Sequence, residues 1–239
     1  MLAFLLFQNA EAQTKATDLN ILVFSKTGGF RHKSIPDGIA FLKDMGSRNH
    51  WKMTFSEDSL VFNESRLASY DVIVFLNTTG KIFSDDGRMA IKKYFKEGKG
   101  FVGIHAASDT EKEWDWFTEM IGATFKSHPK VQTATLNVNT GLKHPAIKGW
   151  GEKEVFKDEW YNFLKPVGKH VNVLASVDED SYEGEKMGIK NHPICWYHIY
   201  DGSRVFYTGI GHTSEIYKED RYFSHVEGGI LWAAGISLK

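Results

Sequence analysis

The sequence predicts an α/β protein: a three-layer sandwich around a mainly parallel sheet, with extra strands in its C-terminal half. Three observations carry this. Short apolar runs alternate with helically spaced segments over the first half of the chain, and breaker clusters rich in glycine follow the runs. Strand-like segments dominate the second half, with few helical stretches between them.

Taken in order, Leu19 to Phe24 is an apolar run that gives way to Ser25-Lys26-Thr27-Gly28-Gly29, so a first buried strand ends in a glycine-bearing loop. Ser34 precedes Pro36-Asp37, and Ile35, Ile39, Phe41 and Leu42 fall near one face, which predicts an amphipathic helix capped by Ser34. Trp51 to Phe55 alternates as a second strand, and Asp71 to Leu76 reads as a third, buried on both faces. Ser84-Asp85-Asp86 opens a helix whose apolar residues are Met89, Ile91, Tyr94 and Phe95, with Gly98 at its C-terminal turn. Gly100 to Ile104 is the fourth strand. Val131–Val138, Val171–Val177, Gly188–Tyr200 and Val205–Gly209 are the added strands, and Phe223 to Ala234 returns to helical spacing.

At 239 residues the chain fits one α/β domain with an elaboration, and no linker or repeat divides it. The expected organisation is residues 1–18 as a leader remnant or disordered N-terminus, followed by a single domain over 19–239. The apolar Leu2 to Phe7 and the small-x-small Ala10-Glu11-Ala12 resemble the end of a secretory signal, so export is expected, with a cytoplasmic protein as the alternative. Six consecutive apolar residues are too few to span a bilayer. Lys plus Arg (29) nearly balances Asp plus Glu (30) without a basic run, which argues against nucleic acid. Gly28-Gly29 lacks the remaining dinucleotide-fingerprint residues and no P-loop Lys is present, so no nucleotide is expected.

In a parallel sheet, ligands collect beyond the carboxyl ends of the strands. Among the ten histidines, His32 follows the first strand, His105 directly follows the fourth and His212 follows the last. Their gathering at one edge points to proton or metal chemistry. Lacking H-E-x-x-H or C-x-x-C spacing, any divalent-metal site must be assembled from distant loops, with His32, His105 and His212 as candidates. Glu159, beside Trp160 and Tyr161, is a candidate acid or base with an expected raised pKa. Arg31 and Asp109, which flank the candidate histidines in sequence, are candidate substrate-binding residues. Trp160 and Tyr161 are candidates to stack on a ligand, while His192 and His198 flank Pro-Ile-Cys-Trp-Tyr and could reach the same mouth. His144-Pro145 reads as a structural turn, and Cys195 as an inert buried thiol.

Three stretches, Thr27 to Ile35, Gly100 to Thr110 and Arg204 to His212, resemble in order the signature blocks of the ThuA-like (trehalose utilisation) family. Supporting matches are His128-Pro129, His144-Pro145, Asp158 to Tyr161, His192-Pro193 and Gly228 to Ala233. The resemblance implies a flavodoxin-like sheet related to that of class I glutamine amidotransferases. There, His105 stands where those enzymes carry a nucleophilic cysteine, and His212 stands at their later histidine, so glutaminase activity is not expected. It further implies catabolism of trehalose or a related disaccharide through a 3-keto sugar. On this reading His105, His212, Glu159 and His32 form the catalytic set and a carbohydrate is the partner. A lyase, hydrolase or isomerase is the preferred class. A non-catalytic carbohydrate-binding or accessory protein is the alternative, and an oligomer is compatible with either.

Overall fold

The computed structural model describes residues 18–189 and 192–236. The N-terminal segment read as an export signal lies outside them. The chain runs β1 (Asn20–Phe24), α1 (Ile35–Asn49), β2 (Lys52–Ser56), α2 (Glu64–Leu67), β3 (Val72–Leu76), α3 (Asp85–Lys96), β4 (Gly100–Ile104) and α4 (Asp115–Ile121). It continues through β5 (Phe125–Ser127), β6 (Gln132–Val138), β7 (Lys153–Asp158), β8 (Asn162–Phe163), β9 (Asn172–Val177), β10 (His192–Tyr200) and β11 (Ser203–Thr208) to α5 (Asp220–Ala233).

One nine-stranded sheet has the order β2-β1-β3-β4-β11-β10-β9-β6-β7, and β5 pairs with β8 separately. The pairings from β2 to β11 are parallel, whereas those from β11 through β10, β9 and β6 to β7 are antiparallel. The last strand in sequence therefore inserts at the seam, beside β4. The four antiparallel strands extend the sheet, as the strand-rich second half predicts, but β5, β7, β8 and α4 were not read from the sequence.

Successive side chains on a strand point to opposite faces, so a fully apolar β3 must be covered twice. On β3, Phe75 packs against Phe117 of α4 and Phe101, while the side chain of Leu76 lies against Gly38 of α1. On β11, Phe206 meets Gly229 of α5, and Tyr207 stacks on Trp196. Helices thus cover both faces, and a single apolar cluster runs from Leu19 to Ala233.

One local expectation is corrected. Ser84 caps α3 through a bond from Gly87 N to its Oγ (3.1 Å), but Ser34 makes no such cap for α1. Its hydroxyl instead lies 3.4 Å from Asn77 Nδ2, because the loops beyond β1 and β3 meet there. Met89 is 61% exposed, since only Ala90, Ile91, Tyr94 and Phe95, with Gly87, fall on the buried side of α3.

Candidate active site

Four loops at the carboxyl ends of β1, β3, β4 and β11 converge, joined by the segment that leaves β7. Two backbone positions there occupy the left-handed region without being glycine: Asn77 (φ 51°) directly after β3 and His105 (φ 47°) directly after β4. Such conformations cost free energy and persist where the surroundings hold them. Asn77 Nδ2 donates to Gly211 O (3.2 Å), and its Oδ1 accepts from Ala106 N (3.4 Å), which ties the turns after β3, β4 and β11 together. Gly211 has φ 140°, and a Cβ there would come within 2.8 Å of Ile104, so a side chain would drive these turns apart.

His105 is fully buried, and its Nδ1 lies 2.7 Å from Gly209 O. A carbonyl can only accept, so Nδ1 carries a proton and Nε2 is the ring nitrogen turned to the cluster. That nitrogen lacks a hydrogen-bond partner and sits 3.5 Å from Glu159 Oε2. The same carboxylate oxygen is 3.0 Å from His212 Nδ1, and the other, Oε1, is 2.9 Å from His128 Nδ1. His32 packs perpendicular to both other rings, 5.0 Å from His105 and 5.2 Å from His212 between centroids. Its Nδ1 has no partner, and the Tyr161 hydroxyl lies 3.4 Å from its Nε2. One ligating atom from each of His32, His105, Glu159 and His212 falls within 4.8 Å of all the others.

Asp158 is the anchor beneath this arrangement. Its fully buried carboxyl accepts from Gly211 N (2.6 Å), His212 N (3.1 Å) and Thr213 N (3.0 Å), so adjacent residues of one chain segment both supply Glu159 and set the His212 loop. Burial pushes Asp158's pKa up, against the pull of His105, the backbone amides and His212.

The electrostatics correct the expectation for Glu159. Burial does favour its neutral form, but the pull of His105 and His212 outweighs that and holds it at about 2. Burial, reinforced by the neighbouring His105 and His212, lowers His32 to about 3, so it is neutral at physiological pH. For His212, burial lowers the pKa, but the bond to Glu159 prevails and raises it.

The other nominated residues are placed as follows. Tyr161 is buried, with its ring 4.0 Å from that of His105, as part of the site wall. Trp160 is fully buried and donates to Gln132 O (3.0 Å), too deep to stack on a ligand. His192, also fully buried, contacts Tyr161 O through Nε2 (2.8 Å) and Glu179 through Nδ1 (3.1 Å), so it holds the Glu159–Tyr161 segment from behind. His198 is buried against Met120 O (2.9 Å) and does not reach the cluster. Arg31 pairs with Glu57 (2.7 Å) at the surface next to His32, and Asp109 pairs with Lys112 (2.7 Å). Cys195 is buried, with burial pushing its thiol up to about 12.

Sequence reasoning missed His128 and Asn77 as members of the site. His128-Pro129 stands in a matching block, yet neither its spacing nor its neighbours single it out. Asn77 carries a signal of sorts, as a polar residue ending an otherwise unbroken apolar strand.

A mixed α/β sheet with a histidine and carboxylate cluster at its carboxyl edge defines the class of protein. The sequence profile of the ThuA family, described as trehalose utilisation, matches residues 20–233, and the chain belongs to that family. A ThuA-like protein from Bacteroides uniformis shares the fold with a TM-score of 0.77 at 22% identity, over 92% of this chain and 93% of that one. A ThuA-like protein from Parabacteroides merdae gives 0.77 at 18% identity over 93% and 92% of the two chains. A cytoplasmic protein of Salmonella typhimurium gives 0.66 at 13% identity over 90% and 99%. No curated protein matches the sequence. The family places the chain in carbohydrate metabolism. Among the described residues, no helix is long and apolar enough to cross a membrane.

Proposed function

We propose that this ThuA-family chain is an enzyme of carbohydrate catabolism that acts on a 3-keto derivative of trehalose or a related glycoside. The observation that carries the reading is the convergence of His32, His105, His212 and Glu159 within 4.8 Å. Collecting imidazoles and a carboxylate in a buried site desolvates all of them, and such a cluster of titratable groups supports a proton-transfer or metal-binding role. The strand order β2-β1-β3-β4 followed by β11, with helices on both faces, supports the flavodoxin-like, amidotransferase-like three-layer description, in which this edge is the ligand side.

The residues also suit a divalent metal. His32 Nδ1 and His105 Nε2 are buried nitrogens without partners, and three imidazoles with one carboxylate are a donor set that zinc and neighbouring transition metals favour. His32, His105, His212 and Glu159 would hold it. Once bound, such an ion supplies Lewis-acid polarisation of a substrate oxygen. The protein's own part is to fix the donors: Gly209 O sets the His105 tautomer, Asp158 sets the His212 loop, and His128 holds the outer oxygen of Glu159. Partly exposed His128 is a group beside the cluster able to exchange a proton with a keto sugar. Export is a separate proposal resting on the N-terminal sequence pattern alone, and N-terminal sequencing of protein recovered from the native host checks it.

The test is metal content together with turnover of 3-keto-trehalose and 3-keto-glucosides by wild type and His105→Ala. Turnover by wild type and its loss in the variant, with metal lost alongside, supports a metal-assisted enzyme. Turnover lost in the variant of a metal-free protein favours acid/base chemistry by the imidazoles. Folded wild type that binds these sugars and converts none of them overturns the enzymatic reading in favour of a binding protein.

A further inference from the structure

The aromatic residues that sequence reasoning nominated for sugar stacking, Trp160 and Tyr161, are 0% and 2% exposed. A different ring stands open beside the cluster. Phe30 is 65% exposed, and its centroid is 4.9 Å from that of His32 with the rings nearly perpendicular. Among the described residues, the other large exposed apolar side chains, Leu60, Met89, Val155, Leu164 and Ile199, are all aliphatic.

An isolated exposed hydrophobic residue needs no explanation on a mobile loop, but this loop is pinned. Gly28 N donates to Thr79 O (2.6 Å), Gly29 N to Thr79 Oγ1 (3.2 Å), and Thr79 Oγ1 in turn to Phe30 O (2.8 Å). Gly28 and Gly80 approach so closely that a Cβ on Gly80 would sit 2.7 Å from Gly28 C. The strand-end loops of β1 and β3 therefore hold the Phe30 backbone in place, with an open aromatic ring next to a buried polar centre. Directly after it, Arg31 engages both carboxylate oxygens of Glu57, at 2.7 and 3.2 Å, and this half-exposed pair offers donors and acceptors at the rim.

We propose that Phe30 is the platform on which a pyranose ring of the substrate lies, with Arg31 and Glu57 receiving its hydroxyls. A pyranose has an apolar C–H face and a polar edge, which matches an aromatic ring flanked by an ion pair. The inference rests on the reading that the cluster acts on a sugar.

The experiment is calorimetric binding of 3-keto-trehalose and trehalose, with steady-state kinetics, on wild type, Phe30→Ala and Phe30→Trp. Melting temperature, metal content and solution mass are measured on each. Losing one aromatic contact weakens binding and raises KM by roughly tenfold in Phe30→Ala, with kcat nearly unchanged, while Phe30→Trp stays within about threefold of wild type. Metal content and melting temperature stay at wild-type values. Equal sugar affinity in wild type and Phe30→Ala overturns the platform and leaves the carbohydrate reading standing. A fall in solution mass in Phe30→Ala with affinity unchanged also overturns it, assigning the ring to contact between copies of the chain. Wild type that neither binds nor converts any sugar overturns both readings.

Discussion

Buried histidines occur at the carboxyl edge of the parallel half of the sheet and also in and behind its antiparallel half, and the two groups behave differently. His198 and His192 on β10, His225 on α5 and His144 beside it each have one ring nitrogen within 2.8 to 3.1 Å of a backbone group. Each also has an aromatic neighbour, as where His144 stacks on Tyr197. They are anchored singly, by local packing. His32, His105 and His212 are no more buried, but they face one another, and His105 and His212 share Glu159. Burial and residue type do not separate the two groups; convergence around a common carboxylate does.

The sharpest way to break that comparison is to truncate one member of each group. His105→Ala is expected to lower kcat/KM by about a thousandfold or more, through loss of an acid/base group or metal ligand. His198→Ala is expected to leave kcat/KM of the folded protein within about twofold while lowering stability by on the order of 2 kcal/mol. Equal losses of turnover per folded molecule would erase the distinction.

Acid titration probes the structural group. Burial lowers His225 to about 4, so the folded state keeps it neutral while the unfolded chain takes up a proton below about 6.5. The unfolded state then binds more protons, so the contribution is complete above pH 6.5 and drains as pH falls from 6.5 towards 4, by on the order of 3 kcal/mol. Urea midpoints for wild type and His225→Gln should differ in their pH slope across that window. An unchanged slope would mean the ring protonates without cost.

A smaller effect separates the cluster from its support. Asp158→Asn removes a charge that touches no proposed ligand atom but holds the His212 amide, and it should weaken metal binding by about 10–100-fold with the fold intact. Competition with a chromogenic chelator measures it. Smallest is the pair Ser84→Ala and Ser34→Ala: the first should cost about 1 kcal/mol in a denaturant titration, because that hydroxyl caps α3, and the second should produce no capping loss.

The fold was readable because its signals are local. The apolar strands β1, β3 and β4, the glycine-bearing loop after β1 and the Ser84 cap are written within a few residues each, and so is the placing of His32, His105 and His212 just beyond strands. Trp160 and His198 were misassigned because an aromatic residue or a histidine near functional neighbours in sequence looks the same whether its side chain faces a crevice or the core.

The sequence by itself determined the alternation of strands and helices, the family resemblance and the histidines on which the site is built. Only the tertiary structure decided that β11 lies against β4 and that the segment leaving β7 returns to this edge. Those two choices bring His212 and Glu159 to His105 and turn an expected raised carboxyl pKa into one held at about 2. The reason is physical: propensity and periodicity act over a turn or a strand, whereas a pKa or a ligand set depends on groups far apart in the chain, here as distant as His32 and His212, whose proximity arises only when the sheet closes its order.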